Sequence, residues 1–240
     1  MAISDFEIKD NVLIRYNASD QHVIIPDGVT SIGRIAFLWC SSLESIEIPD
    51  GVTSIGDSAF YYCKSLKSIN VDDNNKNYTS ISGVLYNKDI TKLIKVPRVV
   101  SSIEIPNSVS TIGDGAFWGC KSLKSIDIPD SVMSIGNYAF YDCSSFESIK
   151  ISNNVTSIGF GAFRGCSSLE SVEIPDSVTS IGMWAFVGCE SLKTILIPNS
   201  VTSIGDNAFL YCENLKEIRK PKGLDISKTE YPESCKIVEY

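Results

Sequence analysis

Apolar residues recur along this chain in one order. From Leu123, apolar positions alternate with polar ones through Ile126 and Ile128, stop at Pro129, and resume as Val132, Ile135, Ala139, Phe140 and Cys143. The alternation predicts a strand with one buried face. Pro129 has no N–H to give a ladder and ends that strand. Asp130 and Ser131 suit the turn that follows, and Gly136 is read as permitting a sharp bend. Ala139, Phe140 and Cys143 stand at i, i+1 and i+4, which predicts a short helical turn facing inward.

The same phrase returns along the chain. Ala36-Phe37, Ala59-Phe60, Ala116-Phe117, Ala139-Phe140, Ala162-Phe163, Ala185-Phe186 and Ala208-Phe209 each lie between an Ile-Gly pair and a cysteine. The cysteines, Cys40, Cys63, Cys120, Cys143, Cys166, Cys189, Cys212 and Cys235, step by 23 residues with one exception. From Cys63 to Cys120 the step is 57, two repeats and eleven residues more. A unit this short cannot close a core, because its Ile, Val and Phe side chains need a coil above and below. The pattern therefore predicts a solenoid of stacked coils. Nine strands are expected, centred on Val23, Ile46, Ile69, Ile103, Ile126, Ile149, Val172, Ile195 and Ile218.

The motifs Leu-x-x-Ile-x-Ile-Pro and Ile-Gly-x-x-Ala-Phe-x-x-Cys resemble the BspA-type (Treponema pallidum-type) leucine-rich repeat, over roughly residues 20 to 220. The resemblance implies an α/β repeat solenoid. It would be a leucine-rich-repeat horseshoe of about nine 23-residue coils, with a parallel β-sheet on the concave side and short helical or 3-10 turns on the convex side. It also implies a surface protein that binds host or matrix proteins. Fold alone does not fix that function.

Departures from the repeat mark the boundaries. Residues 1–19 are read as an N-terminal cap, with Phe6 to Lys9 and Val12 to Tyr16 flanking the turn residues Asp10-Asn11. The solenoid is assigned to 20–219, and 220–240 to a degenerate capping coil in which Tyr231, Pro232 and Cys235 take the places of Ala, Phe and Cys. The insertion, about 72–98, replaces the proline turn with Asp72-Asp73-Asn74-Asn75. Gly83 to Asn87 and Thr91 to Val96, flanking Lys88-Asp89, predict a hairpin there. It is either a spacer or a protruding binding loop.

Composition narrows the chemistry. The net charge of -8 argues against nucleic acid and anionic membrane surfaces. No apolar run is long enough to span a bilayer. The opening MAISDFEIKD has neither a basic nor an apolar leader segment. The cell surface or secretion implied by the resemblance thus stands beside a cytoplasmic alternative. The cysteines are read as free structural thiols, since parallel side chains on a ladder do not meet the roughly 90° dihedral of a disulfide. There is no Cys-x-x-Cys pair, and His22 is the only histidine, so no metal or cofactor is expected and no nucleophile–histidine scheme is apparent. The chain is read as non-catalytic.

Function is then left to the variable positions, on two surfaces. On the concave sheet the outward column runs Ile24, Glu47, Asn70, Glu104, Asp127, Lys150, Glu173, Leu196 and Arg219 beside a column of serines. Glu47, Glu104, Asp127, Lys150, Glu173 and Arg219 are candidate protein contacts there, against the simpler account of a solvated face. Around the Ala-Phe pairs the variable slots are rich in aromatics. Tyr61, Tyr62, Trp118, Tyr138, Tyr141 and Trp184 are candidate contacts, because exposed aromatics are typical interface anchors. Packing between coils is the competing account. The expected partner is a protein, with a cytoplasmic interaction scaffold or a carbohydrate-binding surface as alternatives.

Overall fold

A computed structural model describes residues 2–240. The chain divides into two compact units, Met1–Val99 and Val100–Tyr240.

The first unit opens on an antiparallel hairpin, Phe6–Lys9 with Val12–Tyr16. Asp10 and Asn11 at its tip both have positive φ (51° and 61°), as a tight two-residue turn requires. The hairpin then becomes the edge of a parallel stack. Val12 and Leu13 pair with Ser31–Ile32, which pairs with Ser54–Ile55. A separate three-stranded sheet joins His22–Ile24, Ser45–Ile48 and Ser68–Val71 in 23-residue register. The first two of these coils thus carry a longer strand before the proline and a two-residue strand that ends on the isoleucine of the Ile-Gly pair. The second set was not expected from the alternation, which is too brief at Ser-Ile to read as a strand.

The insertion forms a three-stranded antiparallel meander, Tyr78–Ile81, Val84–Asn87 and Lys92–Lys95. Its first strand lies outside the hairpin predicted from sequence. Two side chains knit it to the repeat. Asn75 stands 23 residues after Val52 and is fully buried. Its amide donates to the carbonyls of Pro49 and Val52 at 2.8 and 3.0 Å, and its oxygen accepts from the N–H groups of Asn77 and Tyr78. Tyr78, 23 residues after Ile55, accepts the Ile55 N–H on its hydroxyl at 3.0 Å.

In the second unit the short strands Thr111–Ile112, Ser134–Ile135, Ser157–Ile158, Ser180–Ile181 and Ser203–Ile204 pair in parallel, one coil to the next. On the longer-strand side, Ser148–Lys150 pairs with Ser171–Glu173, and Thr194–Leu196 with Glu217–Lys220. Lys236–Glu239 adds one strand beyond the nine expected. Two of the nine are not regular strands. The chain around Ile103 is irregular, and around Ile126 only an isolated bridge, Asp127 to Lys150, remains. Ile103 is only half-buried, unlike Ile46, Ile69 or Ile149. A cleft of about 350 Å³ separates its segment from the next, lined by Ser101, Ser102, Lys124, Ser125 and Asp127 among others.

The Ala-Phe-x-x-Cys segments are not helical. Among the described residues the only helix is the 3-10 turn Ile3–Asp5. The reason lies in the backbone. The residue before each alanine and the residue before each repeat cysteine have positive φ wherever φ is positive in these segments: Ile35 and Trp39, Tyr138 and Asp142, Gly161 and Gly165. A left-handed residue every fourth position breaks the i to i−4 pattern. The N–H groups turn to the next coil instead. Phe117 donates to the carbonyl of Ala139, Phe140 to Ala162 and Phe163 to Ala185, each at 2.8 Å. The glycine after isoleucine also has a different cause from the expected bend. A Cβ on Gly159 would stand 2.6 Å from the carbonyl carbon of Gly136, and one on Gly182 as close to Gly159. Successive coils touch backbone to backbone there.

The core consists of the predicted columns. Rings of Phe117, Phe140, Phe163, Phe186 and Phe209 stack with centroids 4.9 to 5.9 Å apart and interplanar angles of at most 16°. Burial of each ring contributes about 2–3 kcal/mol, and each stacked pair about 1 kcal/mol more. In the first unit Tyr16 supplies the ring next to Phe37, which stacks on Phe60 at 5.6 Å. Among the described residues no cysteine forms a disulfide. The buried thiols donate to the phenylalanine carbonyl of the preceding coil: Cys143 to Phe117, Cys166 to Phe140 and Cys212 to Phe186, each at 3.1 Å. Burial pushes the Cys63 and Cys212 thiols up to about 12 and holds those of Cys166 and Cys189 well above the usual thiol range.

Candidate functional site

The longer-strand face presents its candidate residues as a register column. Glu47 lies between Ile24 and Asn70, Lys150 between Asp127 and Glu173, and Arg219 beside Leu196. Glu47, Glu104, Asp127, Lys150, Glu173 and Arg219 are all exposed. Arg219 stands 3.8 Å from Glu217, and closer ion pairs lie beyond the serine column, Glu44 with Lys67 at 2.7 Å and Glu170 with Lys193 at 2.6 Å. Such exposed pairs contribute at most about 1 kcal/mol each. His22 lies on this face with Nδ1 2.7 Å from the Ser45 hydroxyl. The 23-residue step sets the two in one column of the sheet, and strand pairing brings them together. The histidine is exposed, and among the described residues no carboxylate touches its ring, so it lacks the third group that orients a catalytic base.

The turn face is richer. Tyr61, Tyr62, Trp118, Tyr138, Tyr141 and Trp184 are each half-buried. In the first unit Trp39 stacks on Tyr62 at 4.1 Å, and Tyr61 meets Tyr62 edge-on at 4.6 Å. In the second unit Trp118 stacks on Tyr141 at 4.0 Å and tilts against Tyr138 at 5.5 Å. Phe160 carries the contact from Tyr138, at 5.0 Å, to Trp184, at 5.1 Å. Arg164 lies over both Tyr141 and Trp184, with its guanidinium carbon 5.6 and 5.0 Å from the ring centroids. Phe160 and Arg164 were not among the sequence candidates. The signal for them was positional, since Phe160 and Arg164 flank Ala162-Phe163 at the same variable slots.

These rings therefore do pack from coil to coil, yet the contacts do not bury them. Tyr62, Tyr138 and Trp184 have φ of 59°, 54° and 61°. The same slots hold Gly115, Gly119, Gly161, Gly165 and Gly188 in other coils. A bulky side chain in the left-handed region costs about 1–2 kcal/mol. Gly161 also serves its neighbour, because a Cβ there would meet the Tyr138 ring at 2.8 Å.

A 23-residue repeat of paired parallel strands, ring stacks and thiol-to-carbonyl bonds defines a β-solenoid of the leucine-rich type. The model of the BspA type leucine rich repeat region matches residues 7–103, 98–216 and 133–240. The chain belongs to that family, as its motifs imply. It is similar to a leucine-rich repeat protein from Eubacterium ventriosum, with 30% identity and a TM-score of 0.77, over 90% of this chain and 62% of that one. It is also similar to a leucine rich cell surface protein from Faecalibacterium prausnitzii, with 36% identity and a TM-score of 0.73, over 87% and 61% of the two chains. The pneumococcal vaccine antigen PcpA shares the fold at 21% identity and a TM-score of 0.59, over 93% of this chain and 63% of that one. The chain thus spans about three fifths of the length of these solved structures. A search of curated proteins finds no match. Among the described residues no helix is long and apolar enough to cross a membrane, and no cluster of three or more His, Cys, Asp or Glu could hold a metal ion.

Proposed function

We propose that the chain is a non-catalytic protein-binding module of a cell-surface protein, and that its turn face makes the contact. One observation carries the reading. Tyr62, Tyr138 and Trp184 occupy left-handed backbone positions where glycine serves in other coils, and each keeps part of its ring in solvent. Strain of this kind persists where function or surrounding structure demands it. Tyr61, Trp118 and Tyr141 complete the aromatic surfaces of the two units. The cell-surface description of the Faecalibacterium prausnitzii relative supports the location. The exposed column of Glu47, Glu104, Asp127, Lys150, Glu173 and Arg219 is assigned a secondary role in partner orientation, since rim charges steer encounter more than they add affinity. Residues 1–19 and 220–240 are assigned to capping. At the second of these, Lys220 replaces the core isoleucine of the repeat, is buried, and pairs with Glu239.

The test is the double variant Tyr141→Ala with Trp184→Ala, measured for binding to an immobilised panel of matrix proteins and, in parallel, on a glycan array. Loss of protein binding with an unchanged melting temperature is the expected result. Binding confined to glycans, or a sharp fall in the melting temperature, overturns it.

A further inference from the structure

Arg164 is placed unlike any other charged residue described above. Its guanidinium lies between Tyr141, from the preceding coil, and Trp184, from the following one. A ring face attracts a cation without taking up its N–H donors, so aromatic rings of two coils hold Arg164 while its fork keeps the capacity to bind a partner. Its own backbone is fixed as well, since its carbonyl accepts the Asp142 N–H of the preceding coil at 2.8 Å and its N–H donates to the Gly161 carbonyl of its own turn at 3.0 Å.

Among the described residues Arg164 makes no ion pair. Asp142, whose N–H is bound to the Arg164 carbonyl, has its carboxylate engaged by Lys121 at 3.0 Å. In a chain with 29 acidic and 21 basic residues, an arginine left without a carboxylate is not explained by a shortage of acids. Its fork matches a carboxylate in bidentate geometry, and the ring surfaces beside it accept apolar groups.

We propose that Arg164 anchors a carboxylate carried by a polypeptide partner, a Glu or Asp side chain whose flanking apolar neighbours lie on Trp118, Tyr141 and Trp184. The inference rests on the turn face being the protein-binding surface and gives that surface its partner chemistry. A carboxylated sugar offers the same anion, but a peptide also brings apolar side chains long enough to cover rings from three coils. The cage further makes Arg164 specific, because lysine keeps the charge and loses both the fork and the planar stack.

The experiment is a nuclear magnetic resonance titration of the whole chain, following the arginine Nε–H signals. Arg164 is assigned by the signal missing from Arg164→Lys. The probes are N-acetyl-Pro-Glu-Tyr-amide, its Gln counterpart, and glucuronate, each taken into the millimolar range. The expected result is a saturable shift of the Arg164 signal with the Glu peptide and at least tenfold weaker binding of the Gln peptide. A similar loss is expected for the Glu peptide on Arg164→Lys, read from backbone signals. Equal binding of the Glu and Gln peptides overturns the proposal. So does glucuronate binding as tightly as the Glu peptide, or no shift with any probe. Should Arg164→Lys fail to fold, the wild-type chain still decides, because a carboxylate contact weakens as salt is raised and a purely aromatic one does not. If matrix-protein binding is lost in the Tyr141→Ala, Trp184→Ala variant but unchanged in Arg164→Gln, the protein-binding reading stands and the carboxylate inference fails.

Discussion

The regular coils of the second unit and the insertion coil of the first solve one problem by different means. Between Ser134 and Cys212 each coil is closed by what the next one offers: a ring on a ring, a thiol on a carbonyl, a short strand on a short strand. Nearly every inward atom there is apolar. At Asn75 and Tyr78 the repeat is interrupted, and side chains replace what the missing Val and Ile would have done. Asn75 satisfies four backbone groups at once. The difference teaches that the columns tolerate a foreign coil only where its polar groups are fully paired, because each unpaired buried group costs about 1–3 kcal/mol.

The largest effect should come from the regular side. Phe163→Ala removes a ring stacked on both faces, by Phe140 and Phe186. A loss of about 3–5 kcal/mol is expected in urea unfolding. A loss below about 1 kcal/mol would show that the ring column is not what holds these coils. Asn75→Val restores the repeat's own residue at that place, yet it should destabilise by about 2–3 kcal/mol, since the carbonyls and N–H groups it serves are left unpaired. A stabilised Asn75→Val would abolish the distinction between the two regions.

Alkaline pH separates them more finely. The raised thiols of Cys63 and Cys212 are neutral when folded and ionise more readily when unfolded. Their contribution is fully present below the ordinary thiol value of 9.0 and is lost as the pH rises toward about 12. The melting temperature should fall through that window, and Cys212→Ala should make the fall shallower. At neutral pH the same variant should cost only about 1 kcal/mol, for the thiol-to-carbonyl bond and the small cavity. The smallest effect is expected at the turn face. Gly161→Ala should displace the Tyr138 ring, read as changed tyrosine fluorescence, with a stability cost of no more than about 1 kcal/mol.

Much of this architecture was legible from residue spacing. The interval of 23 named the Phe, Cys and Ile columns before any coordinates, because identical inward residues at a fixed step have no other use than stacking. The aromatic candidates Trp118, Tyr138 and Tyr141 are brought into one cluster. Three readings needed correction. The Ala-Phe-x-x-Cys segment is a pair of turns, each with one residue of left-handed φ, since an apolar i, i+1, i+4 spacing does not reveal the sign of φ. The Ile-Gly glycine answers backbone crowding from the coil before, which no local pattern records. The strands around Ile103 and Ile126 are irregular although their sequences match the repeat.

The sequence by itself determined which side chains face inward and how often, for periodicity is a one-dimensional property that survives any detail of the turns. The tertiary structure alone decided which variable residues meet across neighbouring coils. It placed His22 on Ser45, Tyr78 on Ile55, and Arg164 between Tyr141 and Trp184. Those contacts depend on rotamer and backbone sign one coil away, where a linear pattern carries no information.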